Sequence, residues 1–190
     1  MRFVAKLNGR LLVRYCKVNY ERIGNFLWIM GMAGVGKTTL AEKIYINLKK
    51  QDVPVIWLDG DVLRKALKIS GHSLAERREA GLKYLNIASI LTNQGFNVIL
   101  SSIGMQQTFQ KVGKELFANY FQVLVKVHAS DFNSLKSRSF YSNEEINVMG
   151  KDLKADSLEY ELIFENNFDN DNELTVSQCS NLLVYGRLKK

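Results

Sequence analysis

The sequence predicts a three-layer α/β fold, with helices on both faces of a five-stranded parallel sheet and a β-hairpin added at the N-terminus. Three observations carry this expectation. From residue 26 onward, β-prone runs alternate with apolar residues at helical spacing, the pattern of β–α–β crossovers that builds a covered parallel sheet. The stretch Phe26 to Thr39, FLWIMGMAGVGKTT, passes from five apolar residues through a glycine-rich turn into a lysine and two threonines. Its Gly31, Gly34, Gly36, Lys37 and Thr38 satisfy G-x-x-x-x-G-K-[ST], so the fold class is of the P-loop NTPase type. Near the N-terminus, Asn8-Gly9 separates two short β-prone runs and is the dipeptide best suited to a type I′ hairpin turn.

Taken in order, RFVAKL and RLLVRYCKV form the hairpin, and a two-residue turn pairs Val4 with Val13 and Ala5 with Leu12. Residues 1–25 are assigned to this extension and 26–190 to one P-loop domain. After the glycine-rich loop, Leu40, Ala41, Ile44, Tyr45 and Leu48 recur at helical spacing over 37–50. Pro54 opens a second strand, VPVIWLD, which ends in Asp59-Gly60-Asp61, with Arg64 one turn into the next helix. Two carboxylates thereby stand at the C-terminal edge of a strand, where open α/β sheets bind ligands. Ser73-Leu-Ala-Glu76 is a capping box opening a long helix with Gly81, Tyr84, Leu85, Ala88 and Leu91 on one face, stopped by Gly95. Gly81 in mid-helix costs about 1 kcal/mol relative to Ala and so marks close packing. A third strand spans 96–102, a helix carries Phe109, Val112 and Leu116, and a fourth strand runs from Phe121 to Val127. Residues 130–157 are polar, charged and aperiodic, with the length of a lid. Leu162 to Phe164 reads as a fifth strand and Val176 to Leu188 as a closing helix.

The chemistry of the loop follows from its residue types. Glycines let successive backbone N–H groups of residues 34–38 converge on phosphate at the positive end of a helix. In that arrangement Gly31, Gly34, Val35, Gly36, Lys37, Thr38 and Thr39 hold ATP, with Lys37 on the β- and γ-oxygens. The Thr38 hydroxyl takes a position on Mg²⁺, and Asp59 supplies a carboxylate near the same metal.

Composition limits the alternatives. A length of 190 residues, 46% apolar and 24% charged, fits one soluble globular domain. Lys and Arg number 26 against 19 acidic residues, a net charge of +7, which suits an anionic partner. The positive residues are dispersed from Arg2 to Lys190 and no nucleic-acid-binding motif is visible, so the expected partner is a small anionic molecule. No apolar run approaches the roughly 18 residues of a membrane helix, and Arg2, Lys6 and Arg10 interrupt any leader. Cys16 and Cys179 form no metal-spaced cluster and read as free thiols of a reducing compartment, so a cytoplasmic location is expected. His72 and His128 lack partners at catalytic or metal spacing. A homodimer is left open.

The segments FLWIMGMAGVGKTTLA, VIWLDGDVLRKAL, GHSLAERRE and GFNVILSSIG together resemble the adenylyl-sulfate kinase family over residues 26–188. The specific part is Leu58-Asp59-Gly60-Asp61-x-x-Arg64 at its distance from the loop. The resemblance implies an ATP-dependent kinase that phosphorylates the 3′-hydroxyl of adenosine 5′-phosphosulfate. It further implies that Asp59 and Asp61 orient the hydroxyl and the metal, that Arg64 and Arg77 bind the anionic, nucleotide-linked acceptor, and that Tyr141 ends a lid motif. Arg138 from the lid supplies a further cation, so Lys37, Asp59, Asp61 and Arg138 are the expected catalytic set. Departures fall on the acceptor side. Ile103-Gly104-Met105 stands where the family has Ile-Ser-Pro, and glutamines and other residues replace the arginines that follow it. Ala80, Leu82 and Lys83 stand where the family has Asn-x-Arg-Arg. Two alternatives therefore stand beside adenylyl sulfate. One is the same chemistry on another nucleotide-linked or sugar acceptor of a surface-polysaccharide pathway, such as cytidine diphosphoramidate. The other is a nucleotide-binding module that no longer transfers phosphate.

Overall fold

Five parallel strands in the order β4-β5-β3-β6-β7 carry the molecule, and a separate antiparallel pair, β1-β2, lies at the N-terminus. The structure is a computed structural model, and it describes residues 2–7, 10–15, 23–71, 73–127, 156–168 and 172–188. The hairpin strands are β1 (Arg2–Leu7) and β2 (Arg10–Tyr15), and the sheet strands are β3 (Phe26–Met30), β4 (Val55–Asp59), β5 (Asn97–Ser101), β6 (Tyr120–Val127) and β7 (Leu162–Asn166). Five helices accompany them among the described residues: α1 (Lys37–Lys50), α2 (Gly60–Ala66), α3 (Leu74–Thr92), α4 (Gln107–Leu116) and α5 (Glu173–Tyr185). The hairpin register pairs Val4 with Val13 and Ala5 with Leu12, as expected.

Strand β3 lies at the centre, and its alternation decides the two cores. Leu27 and Ile29 face a cluster that takes in Leu40, Ile44 and Leu48 of α1 and Cys179, Leu182 and Leu183 of α5. Phe26, Trp28 and Met30 face the other side, against Ala80, Tyr84, Leu85 and Ala88 of α3 and Phe109 of α4. All five residues of β3 are fully buried. That explains the unbroken apolar run: a central parallel strand is covered on both faces and cannot alternate.

The boundaries follow local chemistry. Ser73 caps α3 in a complete capping box with Glu76, satisfying two otherwise orphaned groups. Gly81 is where the packing reading predicts a close approach: a Cβ there would stand 2.5 Å from the Phe109 ring. Helix α5 begins at Glu173, three residues before the expected start, and ends at Gly186 with φ +67. The left-handed glycine terminates it before Leu188. A buried asparagine clamp closes the edge of the sheet remote from the loop. Asn25 donates through Nδ2 to the Leu183 carbonyl at 2.8 Å and accepts at Oδ1 from Asn119 at 2.8 Å, while its backbone N–H donates to Asn97 Oδ1 at 3.0 Å.

Candidate active site

Strand β3 delivers the chain to Gly31 between β5 and β6, so the glycine-rich loop opens at the carboxyl edge of the sheet, where doubly wound folds bind ligands. Gly36 is the N-cap of α1 at φ +100, and no side chain caps that helix. The first-turn N–H groups are therefore left for an anion. A Cβ on Gly36 would stand 2.4 Å from Asn166 Nδ2, and this same amide donates to the Val35 carbonyl at 2.9 Å. The end of β7 thus braces the loop from outside. The Val35 side chain packs in the core and is 2% exposed, and the residue is not among those that line the cleft.

Lys37 folds back, donating from Nζ to the Met32 carbonyl at 2.7 Å. Burial pushes its ammonium down to about 8, and nearby Asp61 and Asp59 oppose that shift without cancelling it. A lysine short of solvation is primed for phosphate, which would restore its charge. Thr38 Oγ1 donates to Asp59 Oδ2 at 3.1 Å, and Ser101 Oγ donates to the same oxygen at 2.9 Å. Trp57 Nε1 in turn donates to Ser101 Oγ at 3.0 Å, fixing the rotamer. Asp59 Oδ1 accepts from the backbone of Asp61 and Val62 at 3.0 and 3.3 Å. Asp59 is therefore the N-cap of α2 as well as the partner of the loop threonine. The Thr38 hydroxyl and the Asp59 carboxylate are hard oxygen donors side by side, suited to Mg²⁺. Among the described residues no group of three or more His, Cys, Asp or Glu could hold a metal, so phosphate oxygens and water would complete the shell.

A cleft of about 480 Å³ extends from this donor side, and Lys37, Thr38, Asp59, Asp61, Arg64 and Arg77 all line it. The structure thus brings Gly34, Gly36, Lys37, Thr38 and Thr39 of the loop, the strand end and two arginines to one cavity, while Gly31 and Val35 do not line it. Arg64 donates from Nη2 to the Gly71 carbonyl and hydrogen-bonds the Tyr84 hydroxyl, which is pushed up by burial. The same hydroxyl reaches the Gly60 carbonyl at 3.3 Å. Arg138, Tyr141, most of the 130–157 lid segment, His72, His128, Cys16 and the Asn8-Gly9 turn lie outside the described residues.

The model of the family described as adenylylsulphate kinase matches residues 23–167. The chain belongs to the adenylylsulphate kinase family. It is 30% identical over 151 residues to the cytidine diphosphoramidate kinase of Campylobacter jejuni, covering 77% of this chain and 89% of that protein. It is 32% identical over 99 residues to the adenylyl-sulfate kinase of Paraburkholderia xenovorans, spanning 55% of that protein. The APS kinase of Mycobacterium tuberculosis, solved in complex with AMPPNP and APS, superposes with a TM-score of 0.75 at 22% identity, over 85% of this chain and 98% of that one. That likeness shows the shared fold.

Several cleft residues escape the sequence reading of this family member. Tyr84 is legible only as an apolar position at helical spacing, yet its hydroxyl links Arg64 to the start of α2. Ser101 and Ser102 close a strand and carry no motif; their position at the carboxyl edge of the sheet is the signal that would have found them. Gln106 and Phe109 line the far wall, and of these only the loss of an expected arginine hints at position 106. No described helix is long and apolar enough to cross a membrane.

Proposed function

We propose that the chain is an ATP-dependent kinase that transfers the γ-phosphoryl group to a hydroxyl of a nucleotide-linked anionic acceptor. One observation carries the reading: the glycine-rich loop, Asp59, Asp61 and two arginines, Arg64 and Arg77, line a single cleft. A donor site alone would need no cations beyond those of the loop.

In this reading the backbone N–H groups of the loop bind the phosphates and Lys37 neutralises charge on the transferred group. Thr38 and Asp59 would hold Mg²⁺, which supplies charge stabilisation on the phosphate oxygens when bound. Asp61 stands in the first turn of α2, orients the acceptor hydroxyl and takes its proton late in an in-line transfer. Arg64 and Arg77 bind the anionic part of the acceptor, and positioning supplies most of the rate. Arg138 and Tyr141 are assigned to the reaction by the family resemblance alone, as a further cation and an acceptor contact.

Two acceptors fit this class. Adenosine 5′-phosphosulfate is favoured by the family. Cytidine diphosphoramidate is favoured by the Campylobacter relative, whose match covers 77% of this chain against 52% for the Paraburkholderia enzyme. The test follows ADP formation with ATP, Mg²⁺ and a panel of nucleotide-linked acceptors. Turnover with at least one of them, lost in Lys37→Ala, is expected. Full activity of Lys37→Ala would refute the site, and ATP binding without ADP formation across the panel would leave only a nucleotide-binding module.

A further inference from the structure

One buried polar atom of a cleft-lining residue is left without a partner among the described residues. The Gln106 side-chain oxygen Oε1 is buried and has no hydrogen-bond partner among the described residues. Buried polar groups are nearly always paired, so an orphan in a ligand cleft calls for a ligand. The bland account, a helix cap, does not apply. Gln106 is the N-cap of α4 but makes no side-chain cap bond, and Asp156 does that work by accepting from the Gln107 N–H at 2.7 Å. The Gln106 backbone is already paired as well: its N–H donates to the Gly104 carbonyl at 2.8 Å, and its carbonyl accepts from Phe109 at 3.0 Å. Only the amide head remains, and the residue lines the cleft beside Ser102, Ile103 and Phe109.

From this we infer that Gln106 is a specificity-determining residue whose side-chain carbonyl accepts a hydrogen bond from an uncharged N–H or O–H donor on the acceptor substrate. The inference rests on the kinase reading above and narrows its acceptor. A neutral amide cannot compensate an anionic terminus as a guanidinium does, and a carbonyl oxygen facing a terminus made only of acceptor oxygens stays unpaired. A phosphosulfate end presents acceptors alone. A phosphoramidate end presents N–H groups, and a sugar presents O–H groups. Sites built to hydrogen-bond a substrate N–H or O–H reject analogues that lack it far more strongly than apolar pockets reject a missing methylene.

The experiment measures kcat/KM for adenosine 5′-phosphosulfate, cytidine diphosphoramidate and a nucleotide diphosphate sugar, in the full chain and in Gln106→Met and Gln106→Arg. Wild type is expected to prefer one of the two donor-bearing acceptors over the phosphosulfate, and which one identifies the N–H or O–H source. In Gln106→Met, similar in size but without the amide, that preference should fall about tenfold or more. In Gln106→Arg it should fall further, as a cation again favours the anionic terminus. The KM for ATP checks that each variant is folded. A purely structural role would lower all acceptors together and leave their ratio unchanged, so an unchanged ratio in Gln106→Met overturns the inference. A wild-type preference for the phosphosulfate overturns it too, while the kinase reading survives both results. Absence of ADP formation with every acceptor removes the kinase reading and this inference with it.

Discussion

In the proposed site Lys37 would tie ATP binding to protons. Its ammonium lies at about 8 against the ordinary 10.5 because burial strips its water and leaves one carbonyl partner. Bound phosphate should return it to its ordinary range or above, so binding takes up a proton wherever free Lys37 is deprotonated. Below about pH 8 both states are protonated and affinity is level. Above it, affinity falls nearly tenfold per pH unit until the complex itself titrates. Between about pH 7.5 and about pH 9 the ATP association constant should drop roughly eightfold, with about half a proton taken up per ATP near pH 8. Calorimetry in buffers of differing ionisation enthalpy reads both quantities. Lys37→Arg should bind with no such slope, since a guanidinium does not titrate in this range. The same shift bears on folding, with a definite sign. The folded-state value lies below the unfolded one, so the folded chain holds fewer protons between about pH 8 and about pH 10.5, and stability from this group rises across that window. Below it the full cost, on the order of 3 kcal/mol, is present. Nucleotide-free Lys37→Met should accordingly melt higher than wild type at neutral pH. An ATP affinity flat over the range, with no proton uptake, would refute the buried-lysine argument.

Three further outcomes follow from individual contacts. Asp59→Asn keeps an acceptor for the α2 cap but loses the charge beside Thr38, so kcat should fall by about a hundredfold or more with little change in melting temperature; near-normal kcat would reduce Asp59 to a cap. Gly81→Ala would ordinarily stabilise a helix, but here the new Cβ meets Phe109 at 2.5 Å. A loss of about 1–3 kcal/mol in denaturant unfolding is expected, together with a raised acceptor KM, because Phe109 lines the cleft. Asn25→Ala strands the buried Leu183 carbonyl and releases the exposed Asn119 amide to water. It should cost about 1–3 kcal/mol in urea unfolding while leaving the KM for ATP unchanged, since the clamp lies at the opposite edge of the sheet.

The glycine-rich loop and its strand were legible because they are written in local sequence. Gly36, Lys37 and Thr38 are contiguous at the start of α1, and the strand before them is recognisable by its unbroken apolar run. The hairpin register was legible for the same reason: Asn8-Gly9 fixes the loop length, and loop length fixes pairing. What stayed hidden depends on contacts between distant segments. Asn166 reaches Val35 across 131 positions and Asn25 reaches Leu183 across 158; a lone asparagine at a strand end carries no sign of its partner. Tyr84 shows the same limit in one side chain, since periodicity reports where its ring goes and says nothing of its hydroxyl. The Gln110 and Gln122 amides, paired at 2.7 Å inside the protein, contradict the rule that such residues are exposed, and only the fold reveals why they are not.

The departures on the acceptor side are less independent than their separation in sequence suggests. Gly81 is in contact with Phe109, and a Cβ on Gly104 would stand 2.2 Å from Trp28. Trp28 and Phe109 pack with ring centroids 5.6 Å apart, and Trp28 Nε1 donates to Ser102 Oγ at 3.0 Å. One aromatic pair therefore demands a small residue at Gly81 on α3 and another at Gly104 after β5; Gly104 is itself a departure from the family pattern, and Gly81 stands between the departures at Ala80 and Leu82. Ala80 belongs to the same buried cluster and also lines the cleft, so the asparagine of the family pattern is replaced there by an apolar stub. The cleft lining thus combines the apolar Ala80, Gly81 and Phe109 with Gln106, Arg64 and Arg77. A lining of this mixed character can bind a diphosphate through its cations and place a flat ring or an uncharged group against its apolar residues, which is the division of chemistry a nucleotide-linked acceptor brings.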